Sequence, residues 1–432
     1  MDMLSVKRVS LAGVATGAMI TAVAGTAVAQ SGDYYSRNKY EAVSERRQPQ
    51  YDPEPIRLGA FLVNSNLNAA VAYTNNALGT STGEESDVVA RIGAEVSART
   101  NWNVHEIGLD VAASRDEYQD FSDHSSNDIS ARLRGRLDVT RELSLGAAAF
   151  VRQRADDLTN PSNASGLLKP VVSTRTGAEV SANYGNDRVR WRNVATIAEV
   201  NYDDGETANG IRVNQDFRDH SSLQFQTRLS YAISPNVAVY GQGALNDRDY
   251  DNEVVLGGLP RSRDSKGYTV SVGTDFELNT LVRGDVSVGY LNEEKDDSYF
   301  EDVSGLAVDA RVMWFPSRLT TVTFTGGRRS EDSGIQTAPS SVRTNAGARV
   351  DHELYRNVIL SARADYSTYD FEEVDRSDDV IDLGLTGTYK MNKRVHLNAF
   401  YRHVDRDRSG SFFAGDEGFT ADVIGIGIRL YP

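Results

Sequence analysis

Asp128-Ile-Ser-Ala-Arg-Leu-Arg-Gly-Arg-Leu-Asp-Val-Thr140 alternates between apolar or small residues and polar residues over its whole length. In an extended strand, the apolar residues fall on one face and Arg132, Arg134 and Arg136 fall on the other. A helix would instead spread these arginines around its circumference. The stretch therefore predicts a β-strand with one apolar face and one charged face.

Similar segments of about 13–16 residues continue to the C-terminus, and short and long connections alternate between them. The short turns are predicted at 101–103, 141–142, 186–187, 234–236, 279–280, 316–317, 355–357 and 391–393. The long polar loops are predicted at 75–86, 120–127, 154–170, 203–219, 247–264, 295–302, 330–341, 371–377 and 405–418. Short periplasmic turns and long extracellular loops are typical of outer-membrane barrels. The pattern predicts an all-β fold, a transmembrane antiparallel up-and-down outer-membrane β-barrel of about 18 strands over residues 57–432.

The N-terminus has the composition of a secretory signal. Lys7 and Arg8 precede the apolar stretch 9–23, and small residues at 27–29 offer a cleavage site. The stretch is too rich in Ala, Gly and Thr for a stable helical anchor, which is the alternative. We predict a cleaved signal peptide over residues 1–29.

The composition agrees with export to the outer membrane of a Gram-negative bacterium. Residues 30–56 contain three prolines and little periodicity, so we predict a periplasmic N-terminal tail. Only 40% of the 432 residues are hydrophobic, which a barrel explains because alternate residues face a wet lumen. The net charge of −15 excludes nucleic acid as a partner, and the absence of cysteine excludes disulfides.

Aromatic residues are expected in two bands at the membrane–water interfaces, because their rings are amphipathic. The band near the short turns contains Trp102, Trp191 and Trp314. The band near the long loops contains Tyr118, Tyr202, Tyr250, Tyr299 and Tyr369. The expected partners of this surface are outer-membrane lipid and lipopolysaccharide. The outer-membrane assembly machinery is a further partner, although the C-terminal aromatic residue, Tyr431, is penultimate rather than last.

Two segments at the start of the predicted barrel carry a family resemblance. They are Arg47-Gln-Pro-Gln-Tyr-Asp-Pro-Glu-Pro-Ile-Arg-Leu-Gly-Ala-Phe-Leu-Val63 and Val71-Ala-Tyr-Thr-Asn-Asn76. They resemble the opening of the putative β-barrel porin-2 family, with Glu54-Pro55 where Leu-Gly is usual. The resemblance implies a large outer-membrane barrel and, for some members, a role in exopolysaccharide or capsular polysaccharide export. It would add polysaccharide export components as partners and brings no catalytic residues.

Charged residues on the predicted lumen face are the candidates for solute contact. The arginines are Arg132, Arg134, Arg136, Arg343, Arg349, Arg363, Arg283 and Arg311. The carboxylates are Glu95, Asp110, Asp275, Asp285 and Asp309. Opposed rows of charge can set ion selectivity and orient a polar solute. The alternative is that they pair with one another and only satisfy a wet interior.

No motif in the sequence points to an enzyme or a cofactor. The histidines are scattered without metal-ligand spacing, so we predict neither a metal site nor catalytic residues. Acidic loops could hold Ca²⁺ or Mg²⁺ against lipopolysaccharide phosphates, but solvated loop charge is the favoured interpretation.

The function predicted from the sequence is a passive conduit for polar solutes or for a secreted polysaccharide. One alternative is a general diffusion porin, trimeric, in which loop 154–170 or loop 203–219 folds inward and constricts the pore. The other alternative is a non-conducting structural or adhesive surface barrel with a filled lumen.

Overall fold

The computed structural model describes residues 41–156, 161, 167–207, 210–279, 281–412 and 418–432. The predicted signal peptide and the first part of the predicted tail lie outside these residues. Eighteen long strands make up the described fold. They are β1 Phe61–Thr74, β2 Asp87–Thr100, β3 Glu106–Tyr118, β4 Ser126–Asp138, β5 Leu143–Ala155, β6 Val172–Gly185, β7 Val189–Tyr202, β8 His220–Ser234, β9 Val237–Tyr250, β10 Ser265–Leu278, β11 Val282–Lys295, β12 Val303–Ser317, β13 Thr320–Ile335, β14 Ala338–Tyr355, β15 Val358–Phe371, β16 Ser377–Lys390, β17 Val395–Ser409 and β18 Gly418–Leu430.

Every strand pairs antiparallel with its neighbour in the sequence, and the last strand pairs with the first. The closing register runs from Thr74 opposite Val423 to Leu67 opposite Leu430. This confirms the predicted all-β barrel of 18 strands, which leaves no free sheet edge. In the described part of the chain, no helix is long and apolar enough to cross a bilayer.

The two faces of the wall follow the alternation in the sequence. On β4, Leu133 and Leu137 are about half exposed on the outer face. Arg132 and Arg134 lie between them in sequence and therefore point into the lumen. At the closing strand, Ile424 and Ile426 are exposed on the outer face in the same way.

The described connections alternate between short and long as predicted, although the predicted loops 247–264 and 405–418 begin inside strands β9 and β17 and two further stretches differ more. Residues 330–341 are not a polar loop, because β13 and β14 extend as a hairpin to a tip at Gln336 and Thr337. Polar residues of that stretch form buried hydrogen bonds, whereas Ile335 and Ala338 pack against Tyr369 and Phe371. Pro316 and Ser317 belong to β12, and the turn follows at Arg318 and Leu319.

Four of the predicted interface tyrosines face the lumen instead. By strand parity, Tyr118, Tyr202, Tyr250 and Tyr369 share the inner face with the charged residues, and the last two are buried. Each of these tyrosines is at or near the end of its strand, as predicted. It lies on the lumen face rather than the lipid face, because the face depends on the strand register and not on the distance from the loop. Trp102, Trp191, Trp314 and Tyr299 are exposed, and a further outer-face tyrosine row near the long loops contains Tyr73, Tyr268, Tyr290, Tyr366 and Tyr401.

Candidate functional site

The arginine row of β4 lines the lumen, and each of its members has an acidic neighbour. Arg132 donates to Glu179 on β6 at 2.9 Å, reaching across the intervening strand. Arg134 is paired with Asp110 on β3, and Arg136 lies 3.0 Å from Asp138. These contacts match the alternative in which lumen charges compensate one another. Any role of this row in contacting solute remains a prediction.

Most of the other predicted lumen residues also face the lumen within small charge networks. Arg349 lies 2.9 Å from Asp351, Arg363 lies 2.8 Å from Asp382, Arg343 lies 3.6 Å from Glu331, and Arg283 lies 2.7 Å from Glu45. Glu95 accepts a hydrogen bond from Asn66. Asp285 accepts a hydrogen bond from the Tyr240 hydroxyl and forms an ion pair with Arg228. Asp275 stands opposite Asp285, and Asp309 and Arg311 lie on the neighbouring strand β12.

Two lumen arginines that sequence reasoning missed stand directly opposite each other. Arg152 on β5 and Arg175 on β6 are cross-strand partners on the inner face. Among the described residues, neither forms an ion pair with a carboxylate. The nearby Asp128 carboxylate accepts a hydrogen bond from the Ala155 amide. Each arginine is visible in the sequence, but their juxtaposition depends on the register between strands separated by a long loop.

The extracellular mouth is crossed by the end of the β13–β14 hairpin. β12 pairs with β13 only as far as Val308 opposite Arg328, so the hairpin leaves the wall above that point. Ser333, Ala338 and Ser340 in its tip are fully buried. The hairpin is thus an inward-folding element that the sequence did not predict, whereas much of the predicted loop 154–170 lies outside the described residues.

Buried charges attach the hairpin to strand β9 and to the β7–β8 and β9–β10 connections. The Asp332 carboxylate accepts hydrogen bonds from the Tyr250 hydroxyl at 2.6 Å and from Arg263 at 3.2 Å. Arg263 also donates to the carbonyls of Ser333 and Pro339. Arg218, from loop 203–219, lies within 3.8 Å of Asp332. Burial by itself would lower the pKa of Arg218, but Tyr202, Asp156 and Asp332 raise it, so this guanidinium stays charged.

A second buried cluster closes the mouth near β16 and β17. Asp378 is fully buried and accepts hydrogen bonds from Arg376, Arg406 and Arg408. Arg376 also donates to the carbonyl of Pro161, in the loop between β5 and β6. Pro161 thus contacts an arginine that immediately precedes β16, although it lies in the connection that follows β5.

The described cap covers one side of the lumen more than the other. On the wall from β2 to β4, the side chains of Arg91, Arg132 and Arg134 remain 36–39% exposed although they point inward. Beneath the hairpin, Arg248 is 12% exposed and Arg263 is fully buried. The inward-pointing arginines of β2 and β4 are therefore in contact with water inside the lumen.

The periplasmic mouth is occupied by the segment before β1, here called the N-terminal segment, residues 41–55. Val43 is 1% exposed, and its amide donates to the Thr321 hydroxyl at 3.0 Å. The segment forms ion pairs with lumen-facing residues of β11, β14 and β16, through Glu45–Arg283, Arg46–Glu353 and Asp52–Lys390. The carbonyl of Tyr51 contacts the His396 ring. The motif around Tyr51 thus holds the segment inside the mouth.

These features define a class, the outer-membrane β-barrel channels with a charged, water-accessible lumen. The chain belongs to the family described as "Putative beta-barrel porin 2", whose model matches residues 48–431. It is therefore a porin-like channel of the outer membrane, as the resemblance at its N-terminus predicted. Searching for similar curated proteins gave no match.

Several solved outer-membrane barrels are similar in fold. OccK2 (OpdF) of Pseudomonas aeruginosa, in complex with glucuronate, is 11% identical to this chain, with a TM-score of 0.48. The match covers 85% of this chain and 98% of the OccK2 chain. OccAB4 of Acinetobacter baumannii is 10% identical over 89% of this chain and 100% of its own, with a TM-score of 0.46. The copper transporter OprC is 11% identical over 88% of this chain and 82% of its own, with a TM-score of 0.47.

Proposed function

We propose that the protein is a passive channel for small polar solutes, whose path follows the wall from β2 to β6. The observation that carries this proposal is the exposure of the inward-pointing Arg91, Arg132 and Arg134 beside a largely buried cap. A filled structural barrel would bury the charges of every wall. Charged side chains that contact water along one wall are suited to a wet passage that guides ions and polar molecules.

A secreted polysaccharide is the larger solute suggested by the family resemblance. A polymer has to pass both mouths at the same time. The hairpin crosses the extracellular mouth, and the N-terminal segment lies in the periplasmic mouth. This arrangement favours small solutes, and polysaccharide export remains a prediction. Vesicles that contain the protein and are loaded with dextran would release it only if polymers pass.

Single-channel recording in planar bilayers tests the conduit. The wild-type protein should give stepwise currents. Ala148 lies on the inner face of β5 between Arg134 and Glu179, so Ala148→Trp should narrow the path and lower the conductance by roughly half. Ala147→Trp places the same bulk on the outer face and should leave the conductance unchanged. The absence of current, or equal effects of the two substitutions, would favour a structural barrel.

A further inference from the structure

We infer that Arg152 and Arg175 form a binding site for small organic carboxylates inside the lumen. This site, here called the anion station, deepens the proposed function and rests on it. The two guanidinium groups extend from cross-strand partners on the same face. Like charges directly opposite each other destabilise a sheet, so a bound anion would relieve a cost that the apo protein carries.

The acids around the pair are already engaged. Glu179, on the same strand as Arg175, accepts from Arg132 at 2.9 Å. Asp128 accepts from the Ala155 amide at 3.0 Å. The guanidinium groups of Arg152 and Arg175 therefore keep donors for an incoming anion, and planar guanidinium groups suit the two oxygens of a carboxylate.

An apolar surface lies directly beside the pair. Phe150 stands one lumen position below Arg152, opposite Gly177. A Cβ atom at Gly177 would come within 2.6 Å of the Phe150 ring, so glycine is what allows the ring to lie against β6. The Arg132 guanidinium is 5.8 Å from the same ring centroid. The guanidinium groups of Arg152 and Arg175 next to the Phe150 ring suit a carboxylate with an apolar body better than a bare phosphate, which has no apolar part to contact the ring.

The position of the anion station suits a solute that enters from outside. Arg152 is three residues from the extracellular end of β5. Arg152 is exposed to the lumen, and Arg175 is half-buried. An anion that passes the cap meets this pair before the compensated row of β4.

Reversal potentials in a KCl gradient test the station in the conducting full-length protein. The wild-type channel should prefer chloride, and Arg152→Gln with Arg175→Gln should shift the reversal potential toward potassium. Arg115→Gln is the control, because it removes one arginine charge from the outer face of β3, outside the lumen. An open channel with an unchanged reversal potential would overturn the station and leave the conduit intact.

Calorimetry of the detergent-solubilised protein with benzoate and with inorganic phosphate gives a second readout that needs no current. The double variant should bind benzoate about tenfold more weakly, equivalent to ~1.4 kcal/mol. Phe150→Ala should weaken benzoate and leave phosphate unchanged. If the wild-type protein conducts no current but binds benzoate through the two arginines, the proposed function fails and the station stands. If benzoate binding is absent or unaffected by the substitutions, the station is wrong.

Discussion

Asp378 shows how strongly a single carboxylate can determine the local structure of the extracellular mouth. It is fully buried and contacts three guanidinium groups, two of them at 2.7–2.8 Å. Three cations that share one buried anion depend on that anion, because a buried charge without compensation is costly. The cluster also reaches the β5–β6 loop through the bond from Arg376 to the Pro161 carbonyl.

We expect Asp378→Asn to lower the free energy of unfolding by ~3–5 kcal/mol, since it removes the buried anion that three guanidinium groups share. Asp379→Asn is the matched control, because its carboxylate lies on the outer face and accepts one bond from the exposed Tyr366. Asp379→Asn should lower the free energy of unfolding by less than about 1 kcal/mol. Urea unfolding in lipid vesicles, followed by tryptophan fluorescence, measures both. Equal decreases in the free energy of unfolding for the two variants would show that the buried cluster does not depend on the Asp378 charge.

His124 makes the loop between β3 and β4 sensitive to pH. Its ring is 2% exposed, packs on Tyr118 and Phe121, and has no hydrogen-bond partner among the described residues. Burial lowers the pKa of His124 and outweighs the attraction of Asp123 and Asp87. The unfolded loop therefore binds a proton more readily than the folded loop, and loop stability falls as the pH drops below about 6.5.

Amide hydrogen exchange in residues 119–125 should accelerate between neutral pH and about pH 5, where an ordinary histidine becomes charged. His124→Phe keeps the ring packing and removes the titration, so exchange in that variant should no longer respond to acid. An acid response that persists in His124→Phe would assign the effect to other groups, such as Asp87 and Asp123.

At the scale of single elements, the β13–β14 hairpin is the part of the fold that narrows the mouth. Asp332 is its main attachment, because Tyr250, Arg263 and Arg218 all converge on that carboxylate. The three partners lie on β9, in the β9–β10 connection and in the β7–β8 connection, so losing the carboxylate removes a contact with each of them. The bonds from Arg263 to the carbonyls of Ser333 and Pro339 would remain.

Asp332→Ala should therefore increase the single-channel conductance and expose the hairpin tip to added protease. Gln336→Ala, at the exposed tip of the same hairpin, should change neither property. Bilayer recording and limited proteolysis of the purified protein measure the two effects. A hairpin that stays protected in Asp332→Ala would mean that its buried serines hold it in place without the charge network.

The strands and their lumen faces could be predicted from the sequence, because two-residue alternation depends only on neighbours along the chain. The hairpin could not. Polar alternation between residues 330 and 341 has the composition of an exposed loop, and contacts with distant residues bury it, such as Arg263, about 70 positions away, and the rings of Tyr369 and Phe371. The pair Arg152 and Arg175 was missed for a related reason. Its register is set by two strands joined through a long loop, so local sequence does not determine which residues face each other.

At the scale of the whole molecule, both ends of the barrel are narrowed by chain from outside the wall. The extracellular cap is built from loops and one hairpin, whereas the periplasmic mouth holds the N-terminal segment. Ala42, Val43 and Gln48 of that segment are buried. The segment contacts β11, β14 and β16 through ion pairs, and β13 and β17 through hydrogen bonds between its backbone and the side chains of Thr321 and His396. These contacts join one third of the ring without adding a strand to it.

The N-terminal segment should act as a removable obstruction, because most of its contacts are ion pairs near bulk water, which are individually weak. The chain has no cysteine, so Val43→Cys with Thr321→Cys introduces a single possible disulfide where the two residues already touch. We expect a lower conductance with the disulfide formed than after reduction, in the same bilayer. Each single-cysteine variant should show no response to reductant. Equal currents in the oxidised and the reduced protein would show that the N-terminal segment stays in place and does not obstruct the path of the ions. Rapid maleimide labelling of Val43→Cys alone would show that the segment leaves the mouth spontaneously.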